Sequence, residues 1–257
     1  MPEFVLPGLG KVFVRSGGRA DPGVFLLVAS AFAWAVLAHA AARAEMPVLC
    51  MTGPVLQRIG GIVEAAIATG ALWDFFAHWG TMVIAMMFPL LLPPARYVVF
   101  RSYAWRRHRA VLAFVAGYLL AWQSAGGVVA VILLVLRPSG TVPLVWRVAA
   151  LAVAALWTLT AWRRTALRRC HRTVPLIPSG WRADWCCIRF GVAHGLSCLA
   201  ACWALMVALL LSPAAASPVW MAALGVLSFI ERALPRRSFT TWHVVVLSAM
   251  AVAALVP

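Results

Sequence analysis

The sequence predicts an all-α fold, a polytopic membrane helix bundle of about seven transmembrane helices with the N-terminus inside and the C-terminus outside. Three observations predict it. Of 257 residues, 64% are hydrophobic and only 11% charged, whereas a soluble globule is about half apolar and about a quarter charged. Apolar runs of span length recur along the chain, each near the about 20 residues needed to cross about 30 Å of hydrocarbon. The basic residues fall between those runs, on alternate sides.

The runs cover residues 23–42, 73–93, 110–136, 143–162, 185–211, 218–234 and 239–256. The last two are the shortest and could form a helical hairpin. Residues 1–22 form a cytoplasmic N-terminal segment, and 23–257 the bundle. A longer outer loop, 43–72, contains a mildly apolar stretch from Pro54 to Ala71 expected to lie as an amphipathic or re-entrant helix at the surface. A basic cytoplasmic loop, 163–184, carries Pro175, Pro178 and Gly180, which interrupt any continuous helix between the fourth and fifth spans. The first run, preceded by basic residues and followed by the small residues Ala38 to Ala44, also imitates a signal peptide. Its apolar stretch reaches span length, which favours a retained helix.

The formal charge of +15 arises from 22 basic residues against 7 acidic ones. With the N-terminus inside, seventeen basic residues lie in cytoplasmic segments and three, Arg43, Arg58 and Arg137, outside. That asymmetry is the positive-inside signal, typical of a bacterial cytoplasmic (inner) membrane protein. It accounts for the arginines without nucleic acid. Trp73, Trp79, Trp105, Trp181, Trp185 and Trp242 lie close to the span boundaries, as interfacial anchors do. Six Cys in a long apolar chain do not make a disulfide scaffold.

Polar groups within a span are costly, so each is a functional candidate. The second span carries Asp74, His78, Met82 and Met86, and the fifth carries His194, Cys198, Cys202 and Met206. Four-residue spacing puts each set on one slowly drifting helix stripe. If the two helices adjoin, their depths match, and His78 would face Cys202 or Met206. Thiolate, thioether and imidazole favour Cu(I), with zinc second; a hard ion would want more carboxylate than Asp74 offers. The plain alternative is that Met and Cys fill space and the small residues Gly191, Gly195, Ser197 and Ala201 let helices approach. Cys170, His171, Cys186 and Cys187 make a second, weaker cluster at the inner surface, and Cys50 has no evident partner. An ion pair of Arg189 with Glu231 is expected near the inner boundary.

His78-Trp79, Met82, Ala85-Met86-Met87, Pro89, Pro93 and Arg96, with Cys170-His171-Arg172, Gly180-Trp181-Arg182, Gly195, Cys198, Cys202-Trp203-Ala204-Leu205-Met206, Trp220-Met221-Ala222 and Glu231, carry a resemblance over about residues 73–235. The chain resembles a bacterial family of integral membrane proteins described as metal-binding or copper-chaperone-like, without an established function. Many relatives read Cys-Leu-Gly-Cys-Cys-Trp where this chain reads Cys198-Leu199-Ala200-Ala201-Cys202-Trp203. Ala201 thus replaces one Cys, while Cys198 and Cys202 still share a face.

The leading expectation is a non-catalytic membrane protein that binds, buffers or delivers copper. Its partners would be the lipid bilayer, a metal ion and a further membrane or extracytoplasmic protein. With no Walker motif and no Asp-Lys-Thr-Gly phosphorylation sequence, it is not by itself an ATP-driven pump. A metal-free assembly or scaffold subunit is the alternative. An intramembrane enzyme using Cys198 and His194 lacks an oxyanion-stabilising element.

Overall fold

A computed structural model describes residues 22–42, 70–136, 143–211, 217–233 and 240–255. Among them the chain is helical with no strand: α1 (Pro22–Ala42), α2 (Ala71–Met87), α3 (Leu92–Phe100), α4 (Arg107–Leu136), α5 (Leu144–Leu159), α6 (Ala161–Cys170), α7 (Trp181–Leu210), α8 (Ser217–Ala233) and α9 (Thr240–Leu255). Helices α1, α2, α4, α5, α7, α8 and α9 overlap the seven expected runs, whereas α3 continues past the second run as the far arm of a bent pair with α2, and α6 falls in the expected basic loop as the far arm of a bent pair with α5. The N-terminal segment and nearly all of the outer loop 43–72, including Cys50, lie outside the described residues.

The count of seven spans is not reached on length. Among the described residues three helices are long and apolar enough to cross a membrane, 23–42, 104–133 and 181–210, or up to five if each bent pair is one span. At about 1.5 Å per residue, α8 and α9, of 17 and 16 residues, fall short of a full crossing.

Each bend has a cause in the sequence. The α2–α3 pair turns by 51° at Pro89, which has no N–H to donate back to the carbonyl of Ala85. That carbonyl instead accepts the Ser30 hydroxyl at 2.8 Å and the Trp34 indole N–H at 3.1 Å, both from α1. A backbone group freed by proline is thus satisfied by a neighbouring helix. The α5–α6 pair turns by 70° at Thr160, whose extended backbone ends one helix while its side chain caps the next, accepting from the Arg163 N–H at 3.2 Å.

The central contact is α4 against α7, and three glycines make it close. A Cβ on Gly191 would lie 2.0 Å from the Phe114 carbonyl oxygen, one on Gly117 2.2 Å from the Ile188 oxygen, and one on Gly195 2.9 Å from the Ala121 Cβ. Helices whose backbones touch in this way need small residues at the crossing. Around this pair, α2 packs on α1, α4 and α8, while α5 and α6 pack on α7.

Outward faces of α1, α4 and α5 carry Phe32, Val28, Leu120, Val131, Val145 and Leu156, all exposed. Trp73, Trp105, Trp181, Trp185 and Trp242 are exposed near helix ends, but Trp79 is not an anchor. It is buried against Gly126, and its indole N–H donates to the Trp122 carbonyl at 2.9 Å.

The basic loop is partly helix, α6, followed by a strand-free segment pinned from both sides. Arg106, buried, pairs with Asp184 and donates to the Pro178 carbonyl at 3.1 Å, and the Tyr97 hydroxyl donates to the Val174 carbonyl at 2.8 Å. Glu231 pairs with Arg163, not with the exposed Arg189. Arg163 leaves the loop for the interior because the sharp turn at Thr160 aims the first turn of α6 at α8.

Candidate metal centre

The close approach at Gly191 and Gly195 seats Tyr118 of α4 directly on the α7 stripe. The Tyr118 hydroxyl donates to the Cys198 sulfur at 3.1 Å. Cys198 and Cys202 are one turn apart on α7 and both buried. From the end of α2, Met87 brings its Sδ to 3.7 Å from the Cys198 Sγ. From the last turn of α8, Arg232 reaches in with Nη2 3.0 Å from the Cys198 sulfur and 3.7 Å from that of Cys202. Three soft sulfur atoms and one guanidinium therefore meet where four helices converge.

The spans carrying the two stripes are not neighbours along their lengths, contrary to expectation. The second and fifth, α2 and α7, are separated by α4, which packs on both, and they meet at the final turn of α2. His78 is consequently remote from Cys202: it lies nine residues before Met87, about 13 Å along the axis, and is half-buried with no side-chain hydrogen bond among the described residues. Asp74 is exposed. Met82 is buried within the bundle, and Met86 turns toward α1 and α8, lining an apolar cavity of about 380 Å³ with Leu27, Trp34 and Phe229.

On α7 the stripe is buried throughout: His194, Cys198, Cys202 and Met206 all face the interior. His194 sits one turn before Cys198 among the rings of Phe114, Tyr118 and Phe190, at centroid separations of 6.0 to 6.1 Å. Among the described residues neither ring nitrogen has a hydrogen-bond partner. A buried imidazole normally has one, so this one has free ligand capacity. Among the described residues no three of His, Cys, Asp and Glu gather at one point. That holds for Cys170, His171, Cys186 and Cys187 as well, of which His171 is exposed.

Arg232 and Met87 were not among the expected site residues. Arg232 reads in the sequence as one more loop charge. Its place at the end of an apolar run, beside Glu231, is the signal that could have singled it out. Immediately beside it, Arg163 holds Glu231 in a bidentate pair at 3.0 and 2.6 Å, and the His243 Nε2 lies 4.0 Å from the same carboxylate.

The donor set fits a soft monovalent ion better than zinc. Two thiols and a thioether suffice for Cu(I), whereas a structural Zn(II) site takes four ligands in a tetrahedron. No curated protein and no solved structure matches the chain. Residues 76–256 match the model of the PpoB2 family, described as copper chaperone, and a match over that much of the chain places this protein in the copper chaperone family.

Proposed function

We propose that the protein is a non-catalytic integral membrane protein, of the bacterial inner membrane, that binds Cu(I) and buffers it or delivers it to a further membrane or extracytoplasmic protein. The observation that carries this reading is the convergence of Cys198, Cys202 and the Met87 thioether at one buried point. Soft sulfur donors select Cu(I) over the more abundant hard ions. Family membership gives the copper reading independent support.

Membrane insertion is supported by three to five helices of sufficient length and apolarity and by the exposed aliphatic faces of α1 and α4. An orientation with the N-terminus inside follows the distribution of arginine. Within the bundle, Cys198 and Cys202 hold the ion and Met87 completes the set. His194 and Met206 extend the donor stripe along α7, Met82 lies buried on α2, Met86 faces the cavity toward α1 and α8, and His78 and Asp74 stand nearer the outer end of α2, where an ion would enter or leave. Tyr118 orients the Cys198 sulfur.

The test is metal binding by the full-length protein purified in detergent, with Cys198→Ser and Cys202→Ser together. Wild type should retain about one Cu(I) per chain, and the double variant should lose it while losing far less Zn(II). A folded double variant that keeps its Cu(I) affinity would reduce the two cysteines to packing residues. Wild type that carries no copper on reconstitution would favour a metal-free scaffold subunit.

A further inference from the structure

Arg232 brings a full positive charge to a site that, on the reading above, receives a cation. Its Nη2 lies 3.0 and 3.7 Å from the two cysteine sulfurs, and its buried Nε has no hydrogen-bond partner among the described residues. The carboxylate beside it in sequence, Glu231, is taken in both oxygens by Arg163. No carboxylate lies within ion-pair distance of Arg232 among the described residues. Among the described residues the counter-charge available to Arg232 is therefore that of the cysteine sulfurs.

We infer that Arg232 is a specificity-determining residue: it sets the charge of the ion that the Cys198–Cys202 pair accepts, favouring monovalent over divalent soft metals. Metals are held by thiolates, so two cysteines bring two negative charges and Arg232 one positive. One further positive charge, that of Cu(I), makes the cluster neutral. A divalent ion leaves it with a net positive charge in a low-dielectric interior, where an uncompensated charge is strongly disfavoured. Without Arg232 the balance reverses: two thiolates with Cu(I) keep a net negative charge, and with a divalent ion they are neutral. Softness alone does not produce this reversal, because the sulfur donors are the same in both cases. The Arg163–Glu231 pair, on the adjacent residue, fixes the last turn of α8 and so holds the guanidinium over the sulfurs.

The experiment rests on the Cu(I) reading and separates its failure from that of this inference. Full-length wild type, Arg232→Gln and Arg232→Lys are purified in detergent, and dissociation constants for Cu(I) and Ag(I), and for Zn(II) and Cd(II), are obtained by chelator competition. In Arg232→Gln the preference for the monovalent ions should fall by at least about tenfold, and Arg232→Lys, which keeps the charge, should restore most of it. If Arg232→Gln does not accumulate as folded protein, Arg232→Leu is measured in its place. Equal monovalent-to-divalent ratios in wild type and the uncharged variant overturn the inference, as does an equal change in the Lys and Gln variants. Wild type that binds neither Cu(I) nor Ag(I) overturns the copper reading itself.

Discussion

The Met87 Sδ lies 3.7 Å from the Cys198 Sγ, although their helices are held apart by α4 over the rest of their lengths. The contact exists because α2 stops at Met87, one residue before the turn imposed by Pro89. The helix end, and not the helix face, supplies the third sulfur.

Met87→Leu keeps volume and removes the thioether. It should weaken Cu(I) binding about tenfold, or about 1.4 kcal/mol, with little change in thermal unfolding. Met86→Leu, on the side facing α1 and α8, should leave Cu(I) affinity within about twofold of wild type. Chelator competition on the two proteins checks both, and equal effects would remove the distinction between the two methionines.

Gly191→Ala places a methyl group 2.0 Å from the backbone oxygen of Phe114, which cannot yield as a side chain would. The α4–α7 crossing must open, at a cost of about 3 kcal/mol, and Tyr118 is drawn away from Cys198. Thermal unfolding in detergent should show a clear loss of stability. Gly225→Ala, whose new methyl meets the Met86 Cε at an ordinary 3.8 Å, should change stability by no more than about 0.5 kcal/mol.

Glu231→Gln leaves the buried Arg163 guanidinium without its carboxylate. Removing one partner of such a pair should destabilise the fold by about 3 to 5 kcal/mol. Replacing both, with Arg163→Met and Glu231→Leu, should recover most of that loss, since the cost lies in the stranded charge. A double-mutant cycle in chemical denaturant gives the coupling, and an additive result would show the pair to be energetically idle.

Cysteines introduced at the exposed positions Arg101 and Arg172 should react with an impermeant maleimide only after cells are opened, read peptide by peptide by mass spectrometry. The expectation rests on seventeen basic residues facing three across the proposed bilayer. Reaction at either position in intact cells reverses the orientation.

The sequence by itself determined the helices and the kind of chemistry. Apolar run length located the apolar helices, the small residues Gly191 and Gly195 were legible as a close contact, and four-residue spacing placed Cys198 and Cys202 on one face, because all of these are local properties of one segment; the break at Pro89 within the run 73–93 and the helix α6 within the basic loop were not read from it. Which helices adjoin is not local. Periodicity says that Met86 and Met87 point about 100° apart, but only the packing of α2 against α1, α4 and α8 decides that Met87 faces the cysteines and Met86 a cavity. Arg163 and Arg232 carry the same charge as the other arginines between the apolar runs and were indistinguishable from them by composition. The turn at Thr160 and the end of α8 bring these two inside, where Glu231 and the two cysteine sulfurs compensate a charge that is otherwise too costly to bury.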